Sequence, residues 1–208
     1  MVLAIDPVTC SVADLAPAAE HLRTGGVVAF PTDTLYGLAV DPMSAPAVRA
    51  LFELKGRASD AALPVIGASI EQVEACFGTL DAATRDLAGR FWPGPLSLIL
   101  PAPASFDDAV HAGLGTVAVR VPDHRVARLL AEAFARPITA TSANLSGALP
   151  AHALADLEAS IRAGALVVDA GPAPGGLPST IVDARTSPPR LIRAGAVAWN
   201  RVLESLQA

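Results

Sequence analysis

Three clusters of small hydroxyl-bearing residues stand at the ends of short apolar runs: Thr32 to Thr34, Thr139 to Ser146, and Ser179-Thr180. Strand ends are where open sheets take their ligands. Any one cluster also reads as turn chemistry, because Ser, Thr and Asn bond to their own backbone. Four cations, Lys55, Arg57, Arg120 and Arg193, fall at element ends, and with the hydroxyls they could line one anion-binding cavity. Lys55 is the only lysine among 15 basic residues. It falls at the end of a predicted surface helix, where a cation suits the helix dipole even without a ligand and could be removed at little cost to the fold. No serine sits in a G-x-S-x-G elbow, and neither H-E-x-x-H nor a G-x-x-x-x-G-K-[ST] loop is present. Hydroxyls, backbone amides and a few cations suit a polyphosphate, whose chemistry needs positioning and charge neutralisation more than a nucleophile.

The rest of the chain must position those groups. Its 208 residues, 52% hydrophobic and 17% charged, suffice for one core, so residues 1–208 are read as a single domain. Mean hydropathy is +0.45, yet Pro, Gly and charges interrupt every apolar run before the ~18 residues of a membrane span. Met1 to Ser11 does not resemble a targeting peptide. A soluble, cytoplasmic protein with no membrane partner is the expectation. Cys10 and Cys76 form no C-x-x-C pair, and His21, His111, His124 and His152 lack metal spacing, so no structural zinc is expected. A net charge of −5 argues against a surface that tracks nucleic acid throughout, although a local basic pocket remains compatible with it.

Apolar periodicity predicts helices over Val12 to Arg23, Ser44 to Lys55, Ile70 to Phe77, Ala82 to Phe91, His124 to Ala135, Ala151 to Ala163 and Val197 to Leu206. Strands are predicted over Gly26 to Phe30, Leu63 to Ile66, Leu96 to Leu100, Thr116 to Val121, Ile138 to Thr141, Ala165 to Asp169, Thr180 to Asp183 and Arg190 to Arg193. The fold class is α/β (α+β), with one mixed, twisted sheet flanked by helices. Gly171 to Pro178, where Gly and Pro alternate, reads as a mobile or tightly turned loop beside a site.

Seven ordered motifs carry a family resemblance. They are Pro31-Thr-Asp-Thr-Leu-Tyr-Gly-Leu38, Lys55-Gly-Arg57, Trp92-Pro-Gly-Pro-Leu96, Val117-Ala-Val-Arg-Val-Pro122, Ala140-Thr-Ser-Ala-Asn-Leu-Ser-Gly147, Pro178-Ser-Thr-Ile-Val-Asp183 and Ile192-Arg193. Together they resemble the YrdC-like family in its short, single-domain form. The resemblance implies a YrdC-like fold and the conversion of L-threonine, bicarbonate and ATP into threonylcarbamoyl-AMP and pyrophosphate, for threonylcarbamoyladenosine in tRNA. It implies that Lys55 and Arg57 stabilise charge on the leaving pyrophosphate, and that the ATP contacts are Lys55, Arg57, Thr116, Ser142, Asn144, Pro150 and Arg193. Threonine would meet Thr34, Arg120, the backbone at Ala140, and Ser179, with Arg120 forking onto its carboxylate. Mg2+ would arrive on phosphate oxygens, with no protein ligand. The implied partners are downstream threonylcarbamoyl transferase proteins and, through a concave cationic surface, tRNA or double-stranded RNA. From Ala58 to Ile66 the chain departs from the family pattern: a Lys or Asn is missing, and Ile66 stands where longer members place His. Two other functions remain open at this stage, a carbamoyl-adenylating paralogue and a non-enzymatic RNA-binding module.

Overall fold

The computed structural model describes residues 1–56 and 61–206. In chain order the strands are β1 (Val2–Ala4), β2 (Val28–Pro31), β3 (Tyr36–Ala39), β4 (Val65–Ile66), β5 (Leu96–Pro101), β6 (Thr116–Arg120), β7 (Ile138–Thr139), β8 (Thr141–Ser142), β9 (Leu166–Asp169), β10 (Thr180–Asp183) and β11 (Arg190–Arg193). The helices are α1 (Ala16–Arg23), α2 (Ala45–Lys55), α3 (Ile70–Phe77), α4 (Ala82–Phe91), α5 (Asp108–His111), α6 (Arg125–Phe134), α7 (Ala159–Gly164) and α8 (Trp199–Ser205).

Side-chain caps explain why several helices begin where periodicity places them. Ser44 accepts from the Ala47 amide at 3.4 Å, Ser69 from that of Gln72 at 3.2 Å, and Asp81 from that of Thr84 at 2.9 Å, each satisfying an amide that the helix leaves unpaired. At the far end of α2, Gly56 takes the left-handed conformation (φ 59°) that stops a helix.

The strands form two sheets, which corrects the expectation of one. Five are ordered β1-β9-β2-β3-β8, and six are ordered β11-β10-β5-β6-β4-β7. The separation arises at Ala140. Thr139 pairs with Val65 in the larger sheet, Thr141 pairs with Leu38 in the smaller, and between them the Ala140 amide turns to the carbonyl of Pro64 at 2.8 Å. Thr139, fully buried, holds the seam together. Its amide donates to the Val40 carbonyl at 3.2 Å, and its hydroxyl accepts the Val40 amide at 2.9 Å. Periodicity identifies a strand without identifying its partner, and a crossing of one residue is invisible to it.

Two apolar clusters fill the layers. The larger includes Tyr36, Leu51, Leu96, Leu98 and Val119, and the smaller joins Leu15, Leu22, Phe30, Leu130 and Phe134. Central strands such as β2 and β9 are buried nearly throughout, so they read as continuous apolar runs without alternation.

Residues 151–163 are also not one helix. A 3-10 turn covers Leu154–Asp156, and α7 begins only at Ala159. The Asp156 carboxylate takes the amides of His152 and Ala153, both at 2.9 Å, while the His152 carbonyl accepts from Ala173 at 2.7 Å. The Asp156 amide, which an α-helix would give to the His152 carbonyl, goes instead to that of Ala153 at 3.0 Å, so the α-helical ladder does not form there.

Candidate functional site

Where the two sheets meet, a cavity of about 530 Å3 opens between the β2–β3 turn, the end of β6, the Ala140–Ser142 crossing, the stretch leading into β10, and Arg193 on β11. It gathers Thr34, Arg120, Ala140, Ser142, Pro150, Ser179 and Arg193 from the sequence reading. Thr32 shows that the turn and site readings are compatible. Its hydroxyl accepts the amides of Thr34 and Leu35 at 3.2 and 3.3 Å and donates to the Leu35 carbonyl at 2.7 Å, and that turn presents Thr34 to the cavity.

Arg120 is the last residue of β6, so its side chain leaves the sheet at the cavity. Its Nη1 donates to the Asp33 carboxylate in a pair whose side chains are 9% and 8% exposed. Asp33 is held in turn by the Asp123 amide at 3.1 Å. Among the described residues the Asp33 carboxylate is the one hydrogen-bond partner of Arg120, and the rest of its fork borders the cavity. Burial pushes the nearby His124 imidazole below its ordinary value, with Asp33 opposing. The neutral ring suits its contact at the N-terminus of α6, where Nδ1 accepts from Ala127 at 3.4 Å.

Arg193 lies on an exposed edge strand, but its guanidinium folds back onto β10. Nε and Nη2 donate to the Ser179 carbonyl at 3.2 and 2.7 Å, and Nη2 also reaches Ser179 Oγ at 3.1 Å. Burial, and then the charge of Arg120, lower its pKa. Two guanidinium groups near enough to repel each other are held in place, Arg120 by the Asp33 carboxylate and Arg193 by the neutral oxygens of Ser179, and an anion between them would relieve that repulsion.

The remaining predicted residues do not line the cavity. Lys55 is 3% exposed and sits behind the wall, where Nζ donates to the Ser142 carbonyl and, at 2.8 Å, to that of Asn144. This corrects the reading of an expendable surface lysine. Asn144 shapes the same loop, donating to the carbonyls of Leu145 and Ala148 at 2.9 and 2.8 Å. Thr116 stands at the opposite end of β6 from Arg120, paired with Pro101. Arg57 lies outside the described residues, as does the start of the Ala58 to Ile66 departure. Ile66 itself is fully buried in the smaller core.

Sequence reasoning missed Tyr36, Pro64 and His152 as lining residues. A signal was available for Tyr36, the only tyrosine, inside the Pro31–Leu38 motif. Its hydroxyl donates to the Gly171 carbonyl at 2.8 Å, fastening the start of the Gly171 to Pro178 segment. The expectation of a tightly turned loop at a site holds there: Gly171 has φ 84°, and Gly176 and Pro178 line the cavity. Burial, aided by the charge of Asp169, pushes the Tyr36 phenol up to about 12.

Against known proteins, a family model for Sua5/YciO/YrdC, described as "Telomere recombination", matches residues 20–195. The chain belongs to this family. A relative from Pyrococcus abyssi called threonylcarbamoyl-AMP synthase is 41% identical over 189 residues, covering 89% of this chain. This chain spans only 55% of that relative's length. A relative of the same name from Thiobacillus denitrificans is 36% identical over 174 residues, covering 84% of this chain and 92% of its own. The crystal structure of P. abyssi Sua5 complexed with L-threonine matches 99% of this chain and 61% of its own, with a TM-score of 0.89 and 34% identity. The Sua5/YciO/YrdC match takes in every described residue that lines the cavity, from Thr32 to Arg193.

Two predictions follow from the buried groups. Lys55→Met should lower the unfolding free energy by roughly 2–4 kcal/mol, because two wall carbonyls lose a charged donor. An unchanged denaturation midpoint would contradict this. For Tyr36, the folded chain keeps the phenol proton to about pH 12, whereas the unfolded chain releases it near 10. Stability is therefore full below pH 10 and should fall by roughly 2–3 kcal/mol as pH rises to 12. Phenolate absorbance reads this single tyrosine, and a titration midpoint near 10 in the folded protein would refute the shift.

Proposed function

We propose that the chain is a threonylcarbamoyl-AMP synthase, an enzyme that converts L-threonine, bicarbonate and ATP into threonylcarbamoyl-AMP and pyrophosphate. One observation carries the proposal. In a chain 36–41% identical to relatives of that name, Thr34, Arg120, Ala140, Ser142, Ser179 and Arg193 line one cavity that holds two guanidinium groups and several hydroxyls. A substrate pair made of a carboxylate and a polyphosphate needs such a lining.

In this reading the free part of the Arg120 fork takes the threonine carboxylate, while the Asp33 pair keeps the guanidinium in one orientation. Thr34, Ser179 and the backbone at Ala140 fix the rest of the amino acid. Arg193 and Ser142 face the nucleotide, and Arg57 is assigned to the phosphates from its motif alone. Asn144 and Thr116 are kept as nucleotide contacts from the family resemblance alone, and Pro150, assigned from the same resemblance, lines the cavity. Lys55 holds the Ser142 and Asn144 carbonyls in the wall, and with Arg57 it is kept, from their shared motif, as the candidate for stabilising charge on the leaving pyrophosphate.

The chemistry asks for positioning rather than a nucleophilic side chain. The threonine amine takes up carbon dioxide as a carbamate, whose oxygen attacks the α-phosphorus as the bond to pyrophosphate breaks. Cations beside the phosphates stabilise the charge that moves onto pyrophosphate. Among the described residues no carboxylate lines the cavity, and no three His, Cys, Asp or Glu cluster to hold a metal. That lining fits magnesium carried on triphosphate oxygens and water, where it would neutralise phosphate charge.

The product would pass to transferase proteins that modify tRNA, and tRNA contact belongs to the same proposal. A cytoplasmic reaction agrees with the finding that no described helix is long and apolar enough to cross a membrane.

Purified protein given ATP, magnesium, bicarbonate and threonine should release pyrophosphate, and omitting threonine should stop it. Release that ignores threonine would overturn the assignment in favour of adenylation of a carbamate from another source. Arg120→Lys should raise the KM for threonine by roughly ten-fold or more while moving that for ATP far less, because a lysine cannot reproduce the planar fork. Equal shifts in both constants would remove Arg120 from amino-acid recognition.

A further inference from the structure

Behind the cavity wall, Ser97 on β5 is 2% exposed, and its hydroxyl lies 2.9 Å from Ser179 Oγ. Neither distance nor angle says which oxygen donates. The surroundings do. A serine hydroxyl has one hydrogen to give and two lone pairs to fill. Among the described residues, Ser97 Oγ has no partner but Ser179. If Ser179 donated to Ser97, the Ser97 hydrogen would be stranded in the core, a costly arrangement for a buried donor. If Ser97 donates, its hydrogen is satisfied, and the hydrogen left over belongs to Ser179, which borders the cavity.

Arg193 strengthens the argument. Its Nη2 also donates to Ser179 Oγ at 3.1 Å. With Ser97 and Arg193 filling both lone pairs, Ser179 can accept nothing more, and its own hydrogen is its remaining valence.

We propose that Ser97 is a positioning residue that fixes the polarity of the Ser179 hydroxyl, so that Ser179 meets the ligand only as a donor. The ligand atom facing it is therefore an acceptor oxygen, which an amino acid or its carbamate supplies and an ammonium group does not. This inference rests on reading the cavity as the threonine site. Ser97 touches no substrate, and its effect passes entirely through Ser179.

The test is a double-mutant cycle on threonine binding, read by titration calorimetry on the full chain carrying Ser97→Ala, Ser179→Ala or both. Ser97→Ala should weaken threonine binding roughly ten-fold, the scale of one hydrogen bond, and ATP binding by less. In the Ser179→Ala background the same substitution should have no further effect, because the group it orients is gone. Ser97→Thr keeps the hydroxyl and should bind threonine as the wild type does. The assignment is overturned if Ser97→Ala binds threonine normally, if the two losses add in the double variant, or if Ser97→Thr loses as much as Ser97→Ala. A wild-type chain that binds no threonine would remove the site reading and this inference with it, a failure distinguishable because it needs no variant.

Discussion

Between Thr139 and Thr141 the backbone leaves one sheet and enters the other, and the cavity depends on that crossing. A strand that continued straight would keep Ala140 and Ser142 inside a single ladder. The turn of the Ala140 amide toward Pro64 instead opens a gap between the two sheets and lines it with residues from both. The seam is secured by a side chain: Thr139 takes the Val40 amide, a group at the end of β3 that the β2 and β8 ladders do not reach. Lys55 stabilises the far side of the crossing. One ammonium on two carbonyls from the same short loop fixes where Ser142 and Asn144 lie, and it does so from the end of a helix more than eighty residues earlier.

The electrostatics of the cavity follow from the same economy of partners. The chain carries a net charge of −5, yet among the described residues two arginines border the cavity and no carboxylate does. Each guanidinium is already tethered, Arg120 to Asp33 behind the turn and Arg193 to the Ser179 carbonyl. Tethering of this kind reduces the side-chain ordering that ligand binding would otherwise require, which matters most for long, flexible cations. It also explains how two like charges are kept near each other. Burial, and after it repulsion from Arg120, lower the Arg193 pKa, and that repulsion is offset locally by neutral oxygens and by one buried aspartate.

Much of this was legible in the sequence, and the failures share a cause. Ile70–Phe77 and Ala82–Phe91 were bounded to the residue because their caps, Ser69 and Asp81, act within one turn. The hydroxyl clusters and arginines could be placed at one cavity because strand ends and ligand sites coincide in open sheets. Where a distant partner decides the outcome, local reading fails. Lys55 looked exposed because its two carbonyls lie near residue 143. Residues 151–163 looked helical because Ala173, which draws off the His152 carbonyl, lies outside the pattern. Strand β3 is absent from the sequence reading, which places turn chemistry at Thr32 to Thr34 and no element after it. Its four residues pair with β2 on one side and β8 on the other, and neither pairing leaves a mark on the periodicity of so short a run.

The same distinction between local and distant partners bears on chain length. The P. abyssi relative is nearly twice as long as its matched portion, whereas the T. denitrificans relative is matched over 92% of its length. Every described lining residue lies between Thr32 and Arg193, inside the stretch 20–195 that the family model matches. The tethers that hold those residues, from Asp33, Thr139, Ser97 and Lys55, lie within it as well. The additional length of the Pyrococcus protein is therefore not needed to build the cavity walls. What such length could change is the access of water and ligands to their open side, a property of closure rather than of the lining chemistry.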